Sequence, residues 1–127
     1  MMESKLKRKL VGQLTGARID LEAYLRLRKA KGYMSVSEND HLRTNLLDLC
    51  SELRESAAQL KRSCLPHDLE MIRQAGEAVA SAAVCLMSGR YDCPTYIAVN
   101  VETLERCLMT LSKIIQKLDE QSSIIPN

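Results

Sequence analysis

Residue types able to do chemistry are few in this chain, and their spacing is poor for it. There are two histidines, His41 and His67. His41 follows "SEND" at the start of a helical pattern. A phosphotransfer histidine sits mid-helix, with a lysine and small residues just after it, and "HLRTNLL" offers neither. Cys64 and His67 stand at C-x2-H spacing. A structural zinc site needs four ligands, usually as two local pairs, and no second pair is present, so no metal is expected. Glu52 and Glu55, and Glu102 and Glu105, are i,i+3 carboxylate pairs. Di-iron bundles place a histidine at that spacing from a glutamate, and neither pair has one, so both read as solvated helix faces. No glycine-rich phosphate loop and no G-x-S-x-G occurs. The expectation is therefore a non-enzyme with no cofactor and no catalytic residue.

Arg62 and His67 are the one pair at a catalytic spacing. "RSCLPH" resembles the R-x4-H motif of the HEPN ribonucleases, which are small helical bundles. "GRYDCPTY" resembles a helix entry in such proteins. The resemblance implies that Arg62 and His67 meet across a dimer cleft and activate a ribose hydroxyl. It covers only these two short stretches. The chain departs from the pattern where Leu65-Pro66 breaks the segment, and where Ser63 replaces the Asn or Asp that usually follows the arginine. An RNase of this type is the third reading of function.

Four segments carry the helical period of apolar residues. The first, about 3–31, has Leu6, Leu10, Leu14, Ala17, Leu21 and Tyr24 or Leu25, with Gly32 as a stop. The second, about 38–64, has Leu42, Leu46, Leu49, Leu53, Ala57, Leu60 and Cys64. Ser37 in "SVSEND" is its expected cap, Glu38 and Asp40 favour the positive end of its dipole, and Pro66 ends it. The third, about 67–88, begins at a proline tolerated in a first turn and stops at Gly89. The fourth, about 100–121, is capped by Asn100 and carries Val101, Leu104, Leu108, Leu111, Ile115 and Leu118. Short links between long amphipathic helices favour antiparallel neighbours. The expected fold is all-α: one domain, residues 1–127, built as an antiparallel up-down-up-down four-helix bundle. With no Phe and no Trp, its core must be aliphatic. In the third segment Ala75, Ala78, Ala82 and Cys85 form one small stripe, and Gly76, Val79, Ala83 and Leu86 another. That helix is expected to pack on two sides.

Composition bounds the setting. The five cysteines (50, 64, 85, 93, 107) are odd in number and form no C-x-x-C pair. They read as reduced thiols acting as small hydrophobes in an intracellular protein, cytoplasmic or nuclear. The start, "MMESKLKRKL", is charged with no apolar stretch behind it, so no leader is expected. The most apolar window, Ala78 to Met87, is far shorter than the ~20 residues a membrane span needs.

Two surfaces could meet a partner. In the first segment a second row, Gly12, Gly16, Ile19, Ala23 and Leu27, lies opposite the Leu10–Leu14 stripe, where a lone surface helix should be polar. Gly89 to Ala98 is expected as a loop, the longest connection, and it holds Tyr91 and Tyr96, an amphipathic pair suited to interfaces. The favoured function is a protein–protein interaction or adaptor module of a larger assembly, self-associating or bound to another protein. The alternative starts from charge. Residues 1–31 hold nine Lys/Arg and three Asp/Glu, net +6, against −4 for the remainder. Lys7, Arg8, Lys9, Arg26 and Arg28 are the candidates for phosphate contact in a nucleoprotein complex. No aromatic platform accompanies them, so base stacking is not expected.

Overall fold

The computed structural model describes the backbone of residues 2–87, 90–93 and 96–124, and the side chains of residues 5–86 and 99–119. Within them the chain is predominantly helical. There are five helices: α1 (Met2–Lys31), α2 (Val36–Glu55), α3 (Ala57–Ser63), α4 (Pro66–Met87) and α5 (Val101–Ile124).

Each boundary has a local cause. Gly32 takes φ +84°, a conformation that side-chain-bearing residues rarely adopt, and its N–H closes on Arg28 O at 2.8 Å, ending α1. The cap of α2 is Ser35, two residues before the expected Ser37. Ser35 Oγ accepts from Glu38 N at 3.1 Å while Glu38 Oε1 accepts from Ser35 N at 3.0 Å, a reciprocal capping box. Ser37 lacks such a partner at N3, because position 40 is Asp rather than Glu or Gln. Asn100 caps α5 as expected, its Oδ1 accepting from Thr103 N at 3.1 Å. The end of α4 falls at Met87, and the expected Gly89 stop lies outside the described residues.

The expected second helix is two helices. At Ser56 the backbone has ψ −5° instead of a value near −42°, which bends the chain between α2 and α3. Beyond it Ala57 is exposed, while Leu60 is buried in the core. The count is therefore five helices where four were expected.

The second departure is a small sheet. β1 (Met34–Ser35), β2 (Arg90–Cys93) and β3 (Tyr96–Ala98) pair antiparallel in the order β1-β3-β2. Met34 stands opposite Ile97 and Ser35 opposite Tyr96. The 89–98 stretch was expected as a loop. Its Tyr, Ile and Cys content suits a pleated chain, and the turn after α1 supplies a strand to pair with. The pairing links the segment after α4 to the corner between α1 and α2.

The long helices pack as α1 on α2, α2 on α4, α4 on α5 and α5 on α1, and α3 packs against α1 and α4. Side-chain contacts give directions. Tyr24, late in α1, meets Asn39, early in α2, while Gln13 meets Glu52 at the far end of α2, so α1 and α2 are antiparallel. Asn39 also reaches Leu86, late in α4, and Leu53 lies against Gly76, so α2 and α4 are antiparallel too. Both small stripes of α4 are largely buried: Ala75, Ala78, Val79, Ala82, Ala83 and Leu86 lie in the core, as packing on two sides requires. Cys85 is half-buried. The buried residues form one contiguous cluster.

Among the described residues, one polar residue is fully buried. Asn39, at 0% exposure, accepts from Tyr24 Oη at 3.2 Å and donates to Leu86 O at 3.1 Å. It ties α1, α2 and α4 together, and both ends of its amide are satisfied. Burial, chiefly, pushes the Tyr24 phenol up to about 12, so it stays a donor.

The capping box makes a pH prediction. The hydrogen bond from Lys31 Nζ (2.7 Å), then that from Ser35 N, holds Glu38 at about 2, against an ordinary 4.5. A depressed carboxyl stabilises the fold above its unfolded value. That contribution is present above about pH 4.5 and fades as pH falls from there toward 2. Glu38→Gln should flatten the fall of the melting midpoint across that window, and parallel curves for variant and wild type would refute the coupling. Ser35→Ala should cost about 1 kcal/mol at neutral pH.

Candidate functional site

The outer row of α1 is on the surface. With 100° per residue, Gly12, Gly16, Ile19, Ala23 and Leu27 fall within one narrow arc, opposite the buried Leu10, Leu14 and Leu21. Ile19 is 53% and Leu27 40% exposed, Gly12 and Ala23 are exposed, and Gly16 is half-buried. A Cβ placed on Gly12 or Gly16 would meet nothing within 4 Å. Among the described residues, then, no neighbour uses the close approach that the glycines allow.

The two edges of the row differ in charge. On the α2 side lies a shallow cleft of about 250 Å³ lined by Gln13, Gly16, Asp20, Asn45, Asp48 and Glu52. Of its three carboxylates, Glu52 lies 3.8 Å from Lys9 and accepts from Gln13 at 3.2 Å, and neither Asp20 nor Asp48 has an ion pair among the described residues. On the other side the wheel places Arg8 and Arg26, with Arg18 and Lys29 beyond them. Glu22 lies among them, 3.2 Å from Arg26 and 3.8 Å from Arg18. One edge is net acidic and the other net basic.

The five candidate phosphate contacts are not equivalent. Lys7 is half-buried and bound to Asp68, itself buried, at 3.1 Å, which fastens α1 to the first turn of α4. Lys9 and Arg26 have the partners just given. Arg8 is exposed, while Arg28 is half-buried near enough to Tyr24 to oppose the rise in its pKa. The set is spread around α1 rather than gathered on one face.

Arg62 lies in the last turn of α3 and His67 in the first turn of α4, and both are exposed. His41 is also exposed. Cys64 is half-buried, and among the described residues no three of His, Cys, Asp and Glu are grouped to hold a metal ion. Tyr91 lies in β2 and Tyr96 in β3, but their side chains, like that of Cys93, fall outside the described residues. No described helix is long and apolar enough to cross a membrane.

Asn39 and the sheet were missed by sequence reasoning. Asn39 lies two residues from the expected cap and looks like part of a polar helix start. Its only signal is position: three residues before Leu42, it falls on the apolar stripe.

The chain was compared with known proteins. A family model described as "Biofilm formation protein (YliH/bssR)" matches residues 1–125. Curated proteins named "Biofilm regulator BssR" from Escherichia coli K12, Escherichia coli O157:H7 and Shigella flexneri are each 49% identical over 115 residues, covering 91% of this chain and 91% of theirs. No solved structure matches. These relatives are bacterial, and the expected nuclear alternative finds no support in them. With the family model spanning nearly its whole length, the chain belongs to the YliH/BssR family of biofilm formation proteins.

Proposed function

We propose that the chain is a regulatory protein of biofilm formation that acts without catalysis, by protein–protein contact through the outer row of α1. Self-association is the first form this contact takes. The relatives are named as biofilm regulators, and no enzyme appears among their names. The observation that carries the reading is the exposure of Ile19 and Leu27 beside two glycines with open space above them. Isolated surface apolar residues are ordinary, but an apolar row on the face that should be polar marks a contact surface. Small residues in it let a second helix approach closely. The four long helices serve as the rigid frame of a single bundle domain, working inside the cell.

Sedimentation of the whole chain at low and high salt tests this reading. Apolar burial drives the contact, so association should change little with salt. If nucleic acid is the partner instead, affinity falls steeply, with a log–log slope of roughly −0.7 to −0.9 per phosphate contact. A monomer at all concentrations, with no protein partner lost on Ile19→Asp, would remove the reading.

Catalysis by Arg62 and His67 has its own check. Incubation with labelled RNA should give no cleavage. Cleavage abolished by both Arg62→Ala and His67→Ala would replace the regulatory reading with a ribonuclease.

A further inference from the structure

A second cavity lies away from the α1 row. It is an open groove of about 600 Å³ between α2, α3 and α4. That volume is within the ~300–1,000 Å³ typical of small-molecule pockets. Its walls are aliphatic: Leu53 from α2, Leu60 from α3, and Leu69 and Ile72 from α4. Leu60 and Ile72 are buried parts of the core, while Leu53 and Leu69 are half-buried at the groove wall. No aromatic side chain lines it.

The groove lies beside the junction of α2 and α3 at Ser56. Ala57, the first residue of α3, is exposed at its mouth. Gly76 keeps the wall low on α4. A Cβ there would come within 3.3 Å of Leu53 Cδ1, closing the gap the glycine leaves. Burial raises the pKa of the Cys50 thiol, also in the wall, so it stays neutral and apolar.

Charge is arranged unevenly around the mouth. On the α4 side Arg73 is occupied, with bonds of 2.6 and 2.9 Å to Glu70 and 2.8 Å to Glu77. On the other side Arg54 of α2 and Lys61 of α3 are exposed, and neither has an ion-pair or hydrogen-bond partner for its side chain among the described residues. An aliphatic trough with two unengaged cations on one lip complements a molecule with an apolar chain and one anionic end.

We propose that the groove between α2, α3 and α4 binds a monomeric aliphatic carboxylate, with its chain along Leu53, Leu60, Leu69 and Ile72 and its head at Arg54 and Lys61. Chain burial supplies most of the binding. The cations are exposed and contribute modestly, fixing which end points out. This inference stands apart from the α1 row, and either can fail without the other.

Decanoate, below its micelle concentration, is the probe. Calorimetry on the whole chain should show one site for decanoate and none for butyrate, whose chain is too short to fill the trough. Arg54→Glu with Lys61→Glu should weaken decanoate about fivefold or more, from two modest surface attractions turned to repulsions. Ala57→Trp, at an exposed position on the mouth, should abolish the heat. Methyl resonances of Leu53, Leu69 and Ile72 in the unaltered chain should shift on titration, and this readout needs no variant to fold. Absence of decanoate binding overturns the proposal, as do shifts confined to methyls elsewhere. Decanol binding as tightly as decanoate removes the anionic head from it. Binding to phosphatidylglycerol vesicles with no response to free decanoate assigns the lip to a lipid surface and overturns the monomeric ligand.

Discussion

Leu46→Ala and Leu104→Ala are each expected to cost about 2–5 kcal/mol of folding stability, the usual price of emptying a core leucine site. Leu46 is 1% and Leu104 0% exposed, one on each side of α4, so both leave a cavity that close-packed neighbours cannot fill. For a chain of this length the melting midpoint should drop by roughly 10 °C or more. Leu108→Ala is the internal control. The periodicity of α5 puts Leu108 in the core stripe with Leu104 and Leu111. In the structure it is half-buried, packed against the cluster rather than within it, while Ile114 and Cys107 take buried places. Its substitution should therefore cost clearly less than that of Leu104. Equal losses at all three sites, followed by thermal unfolding, would show that depth in this core is not what sets the cost.

That contrast shows how far a repeat of leucines can be read. The stripe of α1 was legible because one helix face met the core along its whole length: Leu10, Leu14, Ala17, Leu21, Tyr24 and Leu25 are all buried. The two small stripes of α4 were legible for a related reason. A helix with mostly small side chains on both stripes has to sit between close neighbours, and α4 packs against α2 and α5. The second segment misled because its period continues through Ser56 without a proline or glycine to mark a break. Leucine spacing reports which residues want burial, not whether the backbone between them stays straight. The bend is decided by tertiary packing, with α3 set against α1 and α4. Sheet pairing was hidden for another reason: Met34–Ser35 is only two residues long, and its partner is more than sixty positions away. Neither stretch signals a strand by itself.

The candidate surfaces divide in the same way. The outer row of α1 is visible as a wheel pattern, since it lies within one helix. The groove at Arg54 and Lys61 is not visible in sequence, because its walls come from three helices. Asn39 belongs with the groove in this respect. An asparagine near a helix start reads as a cap, and only the approach of Tyr24 and Leu86 makes it a buried tie.

Ile19→Asp is expected to weaken self-association by about a hundredfold or more while leaving the melting midpoint near that of wild type. A twofold contact counts the substitution twice, and each carboxylate enters an apolar seam without a partner at a cost of ~1–3 kcal/mol. The fold should tolerate it because Ile19 is 53% exposed and the Leu10–Leu21 stripe still holds α1. Edge charge then predicts the geometry of the pair. A twofold axis parallel to α1 sets the basic edge of one copy, at Arg8 and Arg26, against the acidic edge of the other, at Asp20, Asp48 and Glu52. An axis perpendicular to α1 sets like edges together, which costs free energy. The two α1 helices should therefore run parallel. Gly12→Cys and Leu27→Cys separate the cases under mild oxidation, with wild type as the control for the native thiols. In a parallel pair each variant cross-links to its own counterpart. In an antiparallel pair centred on Ile19, position 12 meets position 27, and covalent dimer forms only when the two variants are mixed. Cross-links in the mixture alone would keep the seam and reverse its direction. No cross-link beyond wild type in any arm, together with association unchanged by Ile19→Asp, would mean that the row is not the seam.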